Sequence, residues 1–263
     1  MKFGMPTLVE CRDIYGCVDL AKRLSLDFIE INTSFPQYQT EIMDRGELNR
    51  LSREGGIFYT VHADEGLNPF DYNRSVSECY FELMRRHIDF ALCIGAPVIN
   101  MHLMKGVYVT LPEKVILLND VYRDEYLARV DEFVSMCERE IGNEGLKIAI
   151  ENVDANPFTS AQRAAMPRFM ASSVFALTLD TGHDECLRGK DRDVFSTYSD
   201  RLVHLHLHDS DGGSAHLPLG EGRINIEEKL GLLRGNCTCL IEVKTARGLE
   251  ESIEYLRRIG YEL

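Results

Sequence analysis

No apolar run in the chain approaches the roughly 20 residues that a bilayer-spanning helix needs, which argues against a helical membrane protein. The first residues also lack the charged-then-apolar plan of a secretory signal, so a cytoplasmic location is expected. Basic residues are in deficit: 29 Lys and Arg stand against 42 Asp and Glu, a formal net charge of -13. Such a chain repels polyanions unless its cations are massed on one face, and nucleic acid is a disfavoured partner. Paired cysteine motifs are missing as well. The 8 Cys are scattered, and Cys237-Thr238-Cys239 has the spacing of neither a zinc ribbon nor a CxxC redox pair. In a reducing compartment they read as small buried hydrophobes rather than disulfides. There is no fixed-period repeat and no low-complexity tract, so the alternation of short elements is the only regularity.

That alternation runs over 263 residues, close to the roughly 250 typical of one (β/α)8 barrel. The expected fold is α/β, a (β/α)8 TIM barrel forming a single domain over 1–263, in preference to two small domains. Strand signals fall at Lys2 to Pro6, Phe28 to Asn32, Ile57 to His62, Val98 to His102, Lys147 to Glu151, Ala176 to Asp180, Leu202 to Asp209 and Leu240 to Lys244. Side chains alternate along each strand. Ile29 and Ile31 then face the helices while Phe28, Glu30 and Asn32 face inward. In the seventh strand Val203, Leu205 and Leu207 form one face, and His204, His206 and His208 climb the barrel interior on the other. The segment Lys105 to Asp124 is too long for a tight connection and is a candidate lid. A polar loop is expected from Asn152 to Phe158. The chain is organised around Ala176 to Asp184, where a buried strand runs out into a loop carrying Asp180 and His183.

Inward residues near the strand ends are Glu30, His62, His102, Glu151, Asp180, His206 and Glu242. Barrel interiors are filled mainly by apolar side chains, and buried carboxylates are costly unless paired or bound to a cation. Any one of these residues could be a satisfied core polar group; the set points to a metal. Carboxylate oxygens and imidazole nitrogens without thiolates suit Zn²⁺, Mn²⁺, Co²⁺ or Fe²⁺.

At these residues the chain resembles the xylose-isomerase-like barrel superfamily, which includes sugar isomerases and epimerases, inosose dehydratases and the endonuclease IV type of abasic-site nuclease. The resemblance rests on Val61-His62-Ala63, Asn100-Met101-His102, Ile150-Glu151-Asn152, Leu179-Asp180-Thr181-Gly182-His183, His206-Leu207-His208-Asp209-Ser210, His216-Leu217-Pro218-Leu219-Gly220-Glu221-Gly222 and Ile241-Glu242. It implies a divalent metal (Mn, Zn or Co) on Glu151, Asp180, His206 and Glu242. It further implies that Glu151 and Glu242 are the proton-transfer pair, and that His62, His102, His183 and His216 bind substrate. Arg223 is either a contact for a distal hydroxyl or phosphate or a solvated loop residue.

The implied function is a metal-dependent isomerase or epimerase of a small sugar or polyol, in which a chelated carbonyl makes the neighbouring C–H acidic. A homo-oligomer is compatible with the sequence. The alternatives are an endonuclease IV-like multi-zinc phosphodiesterase and a non-catalytic sugar-binding barrel. In the nuclease branch a second metal sits on the residues matching His62, His102 and Glu151. A third sits on those matching His183, His216 and an aspartate. Ser214 occupies that aspartate position here, which leaves the third metal two protein ligands. Asp209 and Asp211 are the loop carboxylates that could restore it.

Overall fold

The computed structural model describes residues 1–153, 156–235 and 237–261, so positions 154 and 155 of the expected polar loop lie outside the described residues. Its strands are β1 Lys2–Pro6, β2 Phe28–Asn32, β3 Phe58–His62, β4 Val98–His102, β5 Tyr108–Thr110, β6 Val115–Leu117, β7 Lys147–Glu151, β8 Phe175–Asp180, β9 Leu202–Leu207 and β10 Thr238–Ile241. Eight of them close into a parallel barrel in the order β1-β10-β9-β8-β7-β4-β3-β2. The helices are α1 Ile14–Arg23, α2 Arg45–Gly55, α3 Arg74–Cys93, α4 Leu118–Val121, α5 Arg123–Ile141, α6 Ser160–Ala171, α7 Thr181–Cys186, α8 Arg192–Thr197, α9 Ile226–Leu230 and α10 Ala246–Arg258. Among the described residues no helix is long and apolar enough to cross a membrane.

Local chemistry sets the helix starts. Asp13, Asp44, Asn73 and Thr245 each accept a hydrogen bond from a backbone N–H of the first turn, and Thr159 with Gln162 forms a capping box. Outward residues of the strands, such as Ile29, Ile31, Val61, Ile99, Ile148, Ile150, Leu205 and Leu207, pack under the helices into one apolar core. Inside the barrel the floor is also apolar. Phe28 stacks on Phe58, and a Cβ on Gly4 would lie 2.5 Å from the Phe28 ring, so glycine is what admits that ring. Above the floor the interior turns polar, and strand register aligns the polar residues: Glu30 pairs with Thr60, His102 with Glu151, and Asp180 with His206.

Three expectations are corrected. The register between β8 and β9 slips between Leu177 and Thr178, leaving Val203 as the extra residue of a bulge. Val203 therefore packs on the interior group Val98, Ala149 and Ala176 instead of facing outward with Leu205. The loop expected after Asp180 is the helix α7, which starts at once because Asp180 caps it. The last strand ends at Ile241, which places Glu242 and Lys244 just beyond it. The candidate lid contains the antiparallel pair β5–β6 and the short helix α4.

Candidate metal centre

Four barrel elements deliver Glu151, Asp180, His206 and Glu242 to one point at the C-terminal ends of the strands, each offering a ligand atom within 4.8 Å of the others. His206 Nδ1 lies 3.0 Å from Glu242 Oε2, 3.1 Å from Glu151 Oε1 and 3.9 Å from Asp180 Oδ2. His206 Nδ1 and Glu242 Oε2 are buried, and neither is in the alignment of a hydrogen bond. An aimed but unbonded nitrogen and oxygen among three carboxylates is what a divalent cation would complete, and three oxygen ligands with one imidazole suit Mn²⁺, Co²⁺ or Zn²⁺.

The surrounding residues hold this set in place. Asp180 Oδ1 accepts the His183 N–H at 2.7 Å, and its Oδ2 accepts from His208 Nε2 at 2.9 Å. Asn152 clamps the Asp180 backbone in both directions, donating to its carbonyl and accepting from its N–H, each at 2.9 Å. Glu151 Oε2 accepts from Asn100 and from His102 Nε2, which leaves Oε1 for the centre. Burial works against charge on Glu151 and Glu242, but His206 beside both outweighs it, and both carboxyls sit well below the ordinary glutamate range. Burial likewise opposes a proton on His206, yet Glu151, Glu30 and Glu242 together hold it well above the usual histidine range.

A cavity of about 610 Å³ opens over the centre, and Glu151, Glu242, His62, His102, His183 and His216 all line it. Three of these histidines donate Nδ1–H to a backbone carbonyl, His62 to Ala63, His183 to Asn152 and His216 to Glu242. Each imidazole is thereby fixed with its Nε2 free of the backbone. Burial drives His216 down to about 4, so it is neutral at physiological pH, whereas Glu151 overrides burial at His62 and brings it up to about 9. His216 also has φ 59, a left-handed conformation rare outside glycine.

Arg223 is not brought to this cavity. Its Nε donates to Glu185 at 2.7 Å and its side chain is 56% exposed. The lysines that line the cavity among the described residues are Lys105 and Lys244, the latter 2.8 Å from Glu242 Oε1. Sequence reasoning placed Lys244 inward but gave it no role.

The third-metal position is changed by His208, which joins His183 and His216 in a group of three imidazoles. Both His208 nitrogens are already engaged, however, Nε2 by Asp180 and Nδ1 by the N–H of His216 at 2.7 Å. The two loop carboxylates are also committed. Asp209 accepts from the N–H groups of Ser210, Gly220 and Ile224, and Asp211 from those of Gly213 and Ser214. A second group, His62, His102 and Glu151, lies beside the central four.

A model of the xylose isomerase-like TIM barrel family matches residues 18–259. An uncharacterised protein of Methanocaldococcus jannaschii is 26% identical over 276 residues, covering 98% of this chain and 99% of its own. Among solved structures, a D-tagatose 3-epimerase-like protein superposes with a TM-score of 0.78 at 24% identity, covering 98% of this chain and 96% of that one. The IolI protein with a bound zinc atom superposes with a TM-score of 0.75 at 15% identity, covering 98% of each chain. At these identities the structural likeness speaks to the fold.

Proposed function

The chain belongs to the xylose isomerase-like TIM barrel family, and on that premise we propose that, as a single domain over 1–263, it is a divalent-metal-dependent isomerase or epimerase of a small ketose or polyol. The observation that carries this reading is the pairing of the unbonded His206 Nδ1 with the unbonded Glu242 Oε2, flanked by Glu151 on the floor of a cavity of small-molecule size. When bound, a divalent cation supplies a Lewis acid that polarises a substrate carbonyl.

The remaining work falls to the chain. Glu151 and Glu242 approach the cavity from β7 and from beyond β10, with β8 and β9 between them in the barrel order. Of two carboxylates so placed, the ionised one can take a proton from one face of a carbon, while the other, having first drawn a proton from solvent, delivers that proton to the opposite face. Lys244 holds Glu242 at Oε1, which keeps its Oε2 turned to the centre. His183 and His216 offer imidazole nitrogens to substrate hydroxyls. Arg223, bonded to Glu185, has no part in this proposal.

The test is exchange of substrate α-hydrogen with solvent deuterium, followed by NMR over a panel of ketoses, polyols and inososes with Mn²⁺, Co²⁺ or Zn²⁺. Glu151→Gln and Glu242→Gln should each slow exchange by about 10²- to 10⁴-fold, the range for a lost general acid or base. Because both residues also face the metal, bound cation is measured in parallel. Full-rate exchange in either metal-loaded variant contradicts the assigned role.

A phosphodiesterase of the endonuclease IV kind is the second reading, favoured by the group His62, His102 and Glu151. The net charge of -13 and the engaged nitrogens of His208 weigh against it.

A further inference from the structure

Below the metal centre lies a buried polar layer that the proposed chemistry does not use, made of Glu30, Thr60, His204 and Thr238. Glu30 is 1% exposed, although a carboxylate in a barrel interior is costly to bury unless it is compensated. Its two oxygens divide their partners. Oε2 accepts from Thr60 Oγ1 at 2.9 Å and from His204 Nε2 at 3.1 Å, while Oε1 faces His206 Nε2 alone at 3.0 Å. His204 completes its own bonding through Nδ1, which accepts from Thr238 Oγ1 at 2.5 Å.

We propose that Glu30 is the positioning carboxylate of the metal centre, selecting the His206 tautomer that carries its proton on Nε2 and presents the Nδ1 lone pair to the cation. The inference rests on the reading of Glu151, Asp180, His206 and Glu242 as a metal site. An ionised carboxylate can only accept, so the nitrogen facing Glu30 must be the donor, and a neutral imidazole has one proton to place. On the other side of the ring, Nδ1 faces the oxygens of Glu151 and Glu242. The Nε2 contact is at ion-pair distance but off the donor direction. Thr60 and His204 anchor Oε2, so that Oε1 stays under His206. Such a partner on the far nitrogen of a ligand histidine orients the ring and raises its basicity.

The full-length protein is stripped of metal and its Zn²⁺ affinity measured by competition with a chromophoric chelator. Glu30→Gln, which keeps size but removes the obligate acceptor, should weaken binding by about 10- to 100-fold. In the Zn²⁺-loaded parent, nitrogen NMR of labelled histidine should show zinc on His206 Nδ1 and a slowly exchanging proton on Nε2. That spectrum decides the matter even where Glu30→Gln does not fold. A variant that loses thermal stability but binds Zn²⁺ within twofold of the parent makes Glu30 merely structural and overturns the proposal, as does zinc on Nε2 in the parent. A parent that binds no divalent cation overturns the metal centre itself, an outcome distinct from a parent and variant that bind equally.

Discussion

At the scale of single residues the centre is held in readiness by charge. In the metal-free chain His206 keeps its proton well into the alkaline side of its ordinary range, because Glu151, Glu30 and Glu242 outweigh its burial, and Glu151 and Glu242 stay ionised far into acid. A cation arriving at Nδ1 must therefore displace a proton. The sign follows: below the raised value for His206, metal affinity climbs with pH by about tenfold per unit, with one proton released per ion bound. Titration of metal into lightly buffered protein between pH 6 and 8 reads that release directly, and binding without proton release contradicts the arrangement. The rim residues were legible in the sequence because period-two alternation alone puts Glu151, Asp180 and His206 on inward faces. The partners of Asp180 were not. Asn152 and His208 reach it from the ends of the two neighbouring strands, and residue alternation does not encode which side chains bond across them.

At the scale of elements, the junction of β8 with α7 does the most. Asp180 ends the strand, caps the helix through the His183 N–H and turns its other oxygen to the centre, so one residue fixes a boundary and a ligand together. A loop was expected there because the apolar strand signal runs out at Asp180. Gly182 is there for a steric reason: a Cβ at that position would lie 2.1 Å from His208 Cε1 and 2.2 Å from its Nδ1. Alanine at a helical position is normally favoured over glycine by up to about 1 kcal/mol. Here overpacking of the ring, about 1–3 kcal/mol, wins. Gly182→Ala should lower the midpoint of thermal unfolding and weaken metal binding, since the displaced His208 no longer donates to Asp180. A midpoint equal to or above that of the parent refutes this account of the glycine. Element edges were the least legible feature. The bulge at Val203 and the early end of β10 are set by pairing with neighbouring strands, which residue alternation cannot see.

At the scale of the molecule, the barrel was readable because eight strand signals, seven of them ending in polar residues, recur between helical stretches over a chain of barrel length. The net charge of -13 and the gathering of Glu151, Asp180 and Glu242 above Glu30 fit together: the proposed centre is one that a divalent cation would balance. The proposed chemistry depends on one tightly held divalent ion at Glu151, Asp180, His206 and Glu242. Anomalous diffraction at the metal edge, from crystals of the Mn²⁺- or Zn²⁺-loaded protein, tests it most directly. One strong peak is expected within coordination distance of His206 Nδ1, Glu242 Oε2 and Glu151 Oε1, lost in His206→Ala. A loaded crystal with its strongest peak between His183 and His216, or a central peak that persists in His206→Ala, would contradict it.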